Sequence, residues 1–393
     1  MLVVLLLIGA VFYMMFLSYY VDYFPNGPNM EAEFEIAAEL VAQYGTNLEP
    51  DEFEAFEKTL PILQDMMDEY IAAFPLAQKY SYESYAEFQT AIDNIQIEMG
   101  VIPQADEQRY ADGMRLHNYL WDGETNNILG RVQATEYYIR EYESWQQNED
   151  VLLSHAQYAG YSEQELAYAA KNLTEKTWQN IMPHELPYAT TEYFGLLLIW
   201  MVLSECLLLS PVLVHDRMHS MRPLQWSARR GRGILKSQFG AAMLSTFLLS
   251  SINLLILGAL FATNGVGIFL NSRVISFAIS GFSWVNTTYR GYCLLLIGIC
   301  YLIAFGAAGM AFVLSRFSGN YIAMLLKLIP LIVLIAIVSP RLIGAAFYFH
   351  NNVYAFTQIP LIELIAAGAI FALGVGVCAV MIAGQKKEEC LTN

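Results

Sequence analysis

The chain has 393 residues, of which 56% are hydrophobic, and its formal net charge is −16. Hydrophobic content this high favours a membrane protein over an ordinary globular domain. No nucleic acid is expected as a partner of this acidic chain. None of the five cysteines lies in residues 22–191, which excludes a disulfide-based fold for that block.

The first element is an apolar run from Leu2 to Val21 without a charged residue. Its length is what an α-helix needs to cross a bilayer. A secretory signal peptide is the alternative, but the run has no basic start and no small-residue cleavage site. Tyr19 and Tyr20 at its end are typical of an interfacial aromatic anchor. We therefore predict that residues 1–21 form a retained first transmembrane helix.

Residues 22–191 form an acidic block that holds 31 of the 37 carboxylates and only 8 of the 21 Lys and Arg side chains. Its apolar residues recur at three- and four-residue intervals, which indicates amphipathic helices. Ser162 and Glu165 have the spacing of a capping box, which predicts a helix from Glu163. We expect a compact helical domain whose carboxylates form either a solvated acidic face or a binding surface for a cationic peptide or Ca²⁺.

Five further spans are predicted in residues 192–384, at about 193–214, 237–262, 291–315, 321–338 and 359–384, followed by a tail at 385–393. The predicted fold class is an all-α membrane protein. It has six transmembrane helices and a large, mainly helical extracellular domain between the first and the second. Small residues that permit close packing of the fourth and sixth spans are Gly306, Gly309, Gly368, Gly374 and Gly376.

The segment between the third and fourth spans, residues 263–290, is too apolar for a plain loop. We expect it to form short helices at or within the outer leaflet. The alternative is a seventh span, but Arg273 lies near the centre of the run 265–284, which argues against it.

Charge in the loops predicts the orientation of the chain. The segment 215–236, between the second and third spans, carries six Lys and Arg residues and one acidic residue, Asp216. Short loops rich in Lys and Arg are retained in the cytoplasm. This predicts a multi-pass protein of the plasma membrane with both termini cytoplasmic and residues 22–191 extracellular. The basic tail agrees, whereas three arginines in the outer loops disagree.

The basic segment also carries a recognisable pattern within Val214 to Gln238. An acidic residue after the second span precedes a Met, an apolar position and a Ser before a Gly-Arg turn; these are Asp216, Met221, Leu224, Ser227, Gly231 and Arg232. The pattern resembles the loop between the second and third spans of type-2 ABC transporter permeases. Ser220 replaces a Gly of the family pattern, and Gln238 replaces its Lys.

The resemblance implies the permease subunit of a bacterial ABC exporter. Such a subunit binds no cofactor and has no ATPase motif; it pairs with a second permease subunit, as a homo- or heterodimer, and with a separate ATPase subunit that binds ATP. The six-span layout with a large external insertion is similar to the same family. One departure is the start: family members usually have a cytoplasmic amphipathic segment before the first span. Here that segment is either trimmed or missing.

Coupling to the ATPase is expected to involve a short amphipathic helix that presents apolar side chains to a groove, with a basic rim after it. The residues expected to take part are Asp216, Met218, Met221, Leu224, Trp226, Ser227, Arg229, Arg230, Gly231 and Arg232. The alternative is an ordinary positive-inside loop whose arginines contact anionic headgroups. Trp226 is then an interfacial residue.

Ionisable residues inside the spans are candidate sites because their burial in lipid is costly. Glu205 lies near the middle of the second span and Lys327 in the fifth, so a salt bridge between them is possible. Such a pair either fixes helix packing or lines a substrate path. Glu363, near the outer end of the sixth span, is expected to extend to water.

No catalytic, cofactor or metal site is expected. The segment Gly231 to Ser237 lacks the Gly before Lys236 that a phosphate-binding loop needs, and Asp216 stands where a zinc signature at His215 and His219 has Glu. A second class of function stays open: a membrane-anchored receptor or sensor, or an assembly protein, whose extracellular domain binds a ligand such as a peptide. A sensor needs a cytoplasmic signalling domain, and the sequence shows none.

Overall fold

The computed structural model describes residues 2–24, 28–101, 107–120, 124–147, 160–209, 211–219, 234–278 and 282–391. These ranges are mainly helical, and they contain no β-strand beyond two isolated bridges. Contacts divide the chain into two compact units. The bundle unit comprises Met1–Tyr23, Glu185–Leu270 and Gly281–Asn393, and the inserted unit comprises Phe24–His184 and Asn271–Ser280. The expected helical fold is confirmed for the part of the chain that the structure describes.

The first helical stretch of the bundle unit starts with α1 (Leu2–Phe12) and continues as two π-helical turns, Tyr13–Leu17 and Tyr19–Tyr23. It packs on a tryptophan. A Cβ atom at Gly9 would lie 2.7 Å from the ring of Trp200, so only glycine permits this approach. The apolar helix Val3–Leu17 falls below the length of the candidate spans described next. The first transmembrane span therefore stays a prediction.

The inserted unit contains eight helices within the described ranges. They are α2 (Pro28–Tyr44), α3 (Pro50–Glu57), α4 (Thr59–Ala73), α5 (Pro75–Lys79), α6 (Tyr85–Val101), α7 (Glu107–Leu120), α8 (Glu124–Gln147) and α9 (Glu163–Thr174). One hydrophobic core joins α4 to α8 through buried side chains such as Met67, Phe88 and Leu129. The capping box is confirmed, because the backbone N–H of Ser162 donates to the Glu165 carboxylate at 2.6 Å and α9 begins at Glu163.

Two carboxylates are buried among the described residues of the inserted unit, those of Asp112 and of the capping residue Glu165, although most of its acidic residues are in contact with solvent. Asp112, on α7, is 2% exposed and accepts hydrogen bonds from Lys79 Nζ at 2.5 Å and from the Tyr80 hydroxyl at 2.8 Å. The hydrogen bond from Lys79 lowers the pKa of Asp112 and raises that of Lys79 itself. Because a buried charge is stable only with a partner, this contact fixes the end of α5 on α7.

The ten residues Asn271–Ser280 belong to the inserted unit, although they lie between the third and fourth spans in sequence. Phe277 is fully buried, with its ring 5.8 Å from that of Tyr138 and 5.2 Å from that of Tyr142. Its backbone N–H donates to the carbonyl of Trp178 at 2.8 Å. This differs from the short helices expected at the outer leaflet, because the apolar side chains of the segment are covered by a protein core. The only helical turn described in that loop is the 3₁₀ turn Val266–Phe269.

The rest of the bundle unit consists of seven described helices. They are α10 (Glu185–Leu209), α11 (Pro211–Met218), α12 (Ile234–Ala262), α13 (Tyr289–Arg316), α14 (Tyr321–Ile343), α15 (Asn352–Thr357) and α16 (Ile362–Leu391). Five helical stretches of the described chain are long and apolar enough to cross a bilayer: Glu185–Asp216, Ile234–Ala262, Tyr289–Arg316, Tyr321–Ile343 and Ile362–Gly384. Each contains most of a predicted span, and the helix that contains the second predicted span begins at Glu185 rather than at 193.

The spans differ in how much of their apolar surface is covered by protein. Each of these spans contains an apolar stretch of 18 residues. Protein buries 60% of that stretch in the second span and 50% in the fourth, but only 17% in the third. The second and fourth spans are therefore central, and the third exposes large side chains such as Phe247, Leu255 and Ile256. Apolar faces of this size need a lipid or protein neighbour.

The fourth and sixth spans approach each other through glycine. A Cβ atom at Gly306 would lie 2.5 Å from the carbonyl oxygen of Ile370, and one at Gly309 would lie 2.7 Å from the carbonyl carbon of Gly374. Both contacts are with backbone, which has little freedom to move aside. The expected close packing holds for these three glycines. It does not hold for Gly368 and Gly376, where an added Cβ meets no atom within 4 Å.

Candidate functional site

A hydrogen bond closes the base of the basic segment between the second and third spans. The Gln238 amide donates to the Asp216 carboxylate at 2.7 Å, which joins the end of α11 to the start of α12. Met218, at the last residue of α11, is 51% exposed. The other expected coupling residues lie outside the described part of the chain; they are Met221, Leu224, Trp226, Ser227, Arg229, Arg230, Gly231 and Arg232. Asp216 and Gln238 are both positions of the sequence pattern, and these eight residues lie between them in the chain.

A second contact joins the same helix end to the fifth span. His215 Nδ1 lies 3.2 Å from the hydroxyl of Tyr321, the first residue of α14. The rings of His215 and His219 are 4.3 Å apart, because His219 directly follows α11 and its backbone N–H donates to the carbonyl of His215 at 3.1 Å. Farther along, the hydroxyl of Ser339 on α14 donates to the carbonyl of Gly195 on α10 at 2.9 Å. The second and fifth spans are thus linked at two levels.

Glu205, the carboxylate expected within the membrane, is fully buried between the second and third spans. The hydroxyl of Ser250 on α12 donates to Glu205 Oε1 at 2.5 Å. The other carboxylate oxygen and the hydroxyl of Thr246 are buried without a hydrogen-bond partner among the described residues. Glu205 therefore connects two spans through one strong acceptor contact, and no described cation forms a salt bridge with it.

A second polar contact lies beside Glu205. The indole N–H of Trp200 donates to Asn253 Oδ1 at 3.2 Å, and the Asn253 amide donates to the hydroxyl of Ser204 at 3.2 Å. Thr246, Ser250 and Asn253 are separated by four and three residues, so all three lie on one face of α12. Sequence analysis did not identify this polar face. The signal for this face is present in the sequence, as three small polar side chains spaced four and three residues apart in an otherwise apolar helix.

Lys327 does not form the salt bridge considered for it. Its Nζ atom donates to the carbonyl of Phe317 at 2.9 Å, and the side chain is exposed. Phe317 is the C-cap of α13, so the ammonium group lies at the negative end of that helix, where a cation is favoured. The carboxylate of Glu205 is bonded to Ser250 instead. Glu205 therefore contributes to the contact between the second and third spans, and Lys327 contacts the C-terminal end of α13.

Glu363 also differs from its expected state. The residue is 1% exposed, and its carboxylate accepts a hydrogen bond from the backbone N–H of Phe347 at 2.9 Å. The expected extension to water is therefore wrong, because the irregular segment before α15 covers the start of α16 and supplies a donor. Phe347 has a φ angle of 69°, and Ala345 one of 51°, so this segment has an unusual backbone conformation that the Glu363 contact supports.

The polar side chains of the site contact other helices of the bundle unit. Within the described ranges there is no cluster of three or more His, Cys, Asp or Glu side chains that could hold a metal ion. The polar contacts instead join the second span to the third at Glu205, to the fifth at His215, and to the base of the basic segment at Asp216. No known protein family, curated protein or solved structure matches this chain.

Proposed function

We propose that the chain is the permease subunit of an ABC exporter in the plasma membrane and that it works with a separate ATPase subunit. The observation that carries the proposal is the basic segment 215–236, whose sequence pattern is similar to that of type-2 permeases and whose base is closed by the Asp216–Gln238 hydrogen bond. The five apolar helices that are long enough to cross a bilayer support the same assignment.

A closed base makes the segment suitable for transmitting force. A flexible loop absorbs a push from a partner protein, whereas a hydrogen bond between two helix ends favours their moving together. A displacement applied between Met218 and Ile234 then reaches the second and third spans together. Through His215 and Tyr321 it also reaches the fifth span. In this proposal, closure of the ATP-bound ATPase subunits moves the segment, and the spans shift to open a path.

The uncovered faces of the spans support an assembly of two permease subunits. In the third and sixth spans, the rest of the chain buries only 17% of the apolar 18-residue stretch. Lipid covers such a surface in a monomer, and a second permease copy or a related subunit covers part of it in an exporter. ATP is bound by the partner ATPase, and the inserted unit lies on the extracellular side, as the positive-inside rule indicates.

Copurification with the ATPase, followed by measurement of its ATP hydrolysis, tests this proposal. Trp226→Ala and Arg232→Ala are expected to lower permease-stimulated hydrolysis by at least about tenfold, since each removes an expected anchor of the interface. Arg140→Ala is the matched control, because Arg140 is exposed on α8 of the inserted unit. If both segment variants pair with the ATPase and stimulate it as the unmodified chain does, the segment is not the coupling element.

A further inference from the structure

A cavity of ≈ 460 Å³ opens within the bundle unit, at the end of the helices where the second span begins and the fifth span ends. Its lining includes Tyr20, Tyr188, Glu192 and His350, together with Pro340 and Gly344 from the last turn of α14. The volume is in the range of small-molecule sites and far exceeds that of a metal ion. None of the ten lining residues is Lys or Arg.

The cavity contains one carboxylate. Glu192 accepts a hydrogen bond from the hydroxyl of Tyr20 at 2.6 Å, and it forms no salt bridge with a cation among the residues that the structure describes. Glu192 is exposed, so a ligand can reach its carboxylate from the cavity. A carboxylate without a cationic partner favours a positively charged ligand.

An aromatic ring adds to this preference. The ring of Tyr188 is held by those of Tyr348, at 5.8 Å, and His350, at 5.6 Å. Tyrosine faces attract cations through the ring quadrupole. The end of the fifth span adds nothing to this preference, because Asn351 donates to the carbonyls of Leu342 at 3.3 Å and of Gly344 at 2.8 Å, and Arg341 lies in the same turn. The preference for a cation therefore rests on the Glu192 carboxylate and the Tyr188 ring.

We propose that this cavity binds an organic ammonium group. The lining does not resemble a Ca²⁺ site, which takes six to eight oxygen ligands and usually several carboxylates, because the cavity offers a single carboxylate. An ammonium group needs one carboxylate and aromatic faces, which the cavity has. The group belongs either to a free cationic compound or to the headgroup of a lipid such as phosphatidylethanolamine or phosphatidylcholine. The site does not depend on ATPase coupling.

Binding of choline to the purified full chain tests the proposal. The chain is placed in nanodiscs of phosphatidylglycerol alone, and binding is measured by calorimetry and by the rise in melting temperature. Choline is expected to bind, and its uncharged tert-butyl isostere is expected not to. In a second arm without choline, phosphatidylethanolamine replaces part of the phosphatidylglycerol. A rise in melting temperature in that arm alone identifies a lipid headgroup as the source of the ammonium group, and a rise with choline identifies a free compound.

Variants separate the contributions of charge and ring. Glu192→Gln is expected to weaken binding at least about tenfold, whereas Glu57→Gln, which removes an exposed carboxylate of the inserted unit, leaves it unchanged. Tyr188→Leu is expected to weaken binding about threefold or more, and Tyr188→Phe, which keeps the ring, to leave it unchanged. If Glu192→Gln fails to fold, the comparison of Tyr188→Leu with Tyr188→Phe tests the proposal by itself.

Three results overturn the proposal. The first is that neither choline nor phosphatidylethanolamine stabilises the chain. The second is that the uncharged isostere binds as tightly as choline. The third is that folded Glu192→Gln and Tyr188→Leu variants bind as the unmodified chain does.

Discussion

Glu205 shows how a single residue supports the contact between two spans. Its carboxylate is buried with one oxygen bonded to Ser250 and the other without a partner among the described residues. A buried charge without a cation is unfavourable, but an acceptor oxygen opposite a buried hydroxyl is favourable. We therefore expect the contact to depend on the acceptor oxygen and not on the charge, as a packing role requires. A residue whose charge faces a substrate path would instead depend on that charge.

Two substitutions test this distinction. Glu205→Gln keeps an acceptor oxygen for Ser250 and removes the charge, so the variant is expected to be as stable as the unmodified chain or more stable. Glu205→Leu leaves the hydroxyl of Ser250 without a partner and is expected to lower stability by about 1–3 kcal/mol. Thermal unfolding of the full chain in detergent measures both. A loss of stability in Glu205→Gln equal to that in Glu205→Leu shows that the charge itself is required.

Among the helical elements, local signals in the sequence predict structure well and distant partners poorly. Ser162 and Glu165 are three residues apart, and the helix start that they predict is present. The apolar run at 274–279 has the composition of a membrane-surface segment, but Tyr138, Tyr142 and Trp178, more than 90 residues earlier in the chain, cover Phe277 instead. Composition alone does not distinguish a lipid neighbour from a protein core. The same limit applies to Lys327, whose partner is a backbone carbonyl.

Contact between the fourth and sixth spans is expected to depend on particular glycines and not on glycine content. Gly374→Leu introduces a side chain against the backbone of Gly306 and is expected to lower stability by about 1–3 kcal/mol. Gly368→Leu, on the same helix, meets open space and is expected to leave stability unchanged. Melting temperatures of the two variants in detergent make the comparison. Equal effects of the two substitutions contradict the packing described for these helices.

The segment Asn271–Ser280 is expected to be part of the inserted unit's core. Phe277→Ala removes a fully buried ring and is expected to lower the stability of that unit by about 3–5 kcal/mol. Ile268→Ala is the control, because Ile268 is 39% exposed and belongs to the bundle unit. Hydrogen exchange across residues 124–147 of the full chain reports the change. Protection that is unaltered in Phe277→Ala contradicts the assignment of the segment.

For the molecule as a whole, the chain passes between its two units four times, after residues 23, 184, 270 and 280. A domain inserted in a single loop is joined to its host by two connections, and the additional pair here comes from the loop between the third and fourth spans. Charge is divided in a similar way: residues 22–191 hold 31 of the 37 carboxylates, and the rest of the chain holds 13 of the 21 Lys and Arg residues.

The side of the membrane on which the basic segment lies decides whether an ATPase can reach it. A cysteine placed by Ser227→Cys, compared with one placed by Glu57→Cys in the inserted unit, reports that side through a membrane-impermeant maleimide, with the unmodified chain as background. Our account predicts that intact cells label position 57 but not position 227, and that permeabilised cells label both. Labelling of position 227 in intact cells would contradict it.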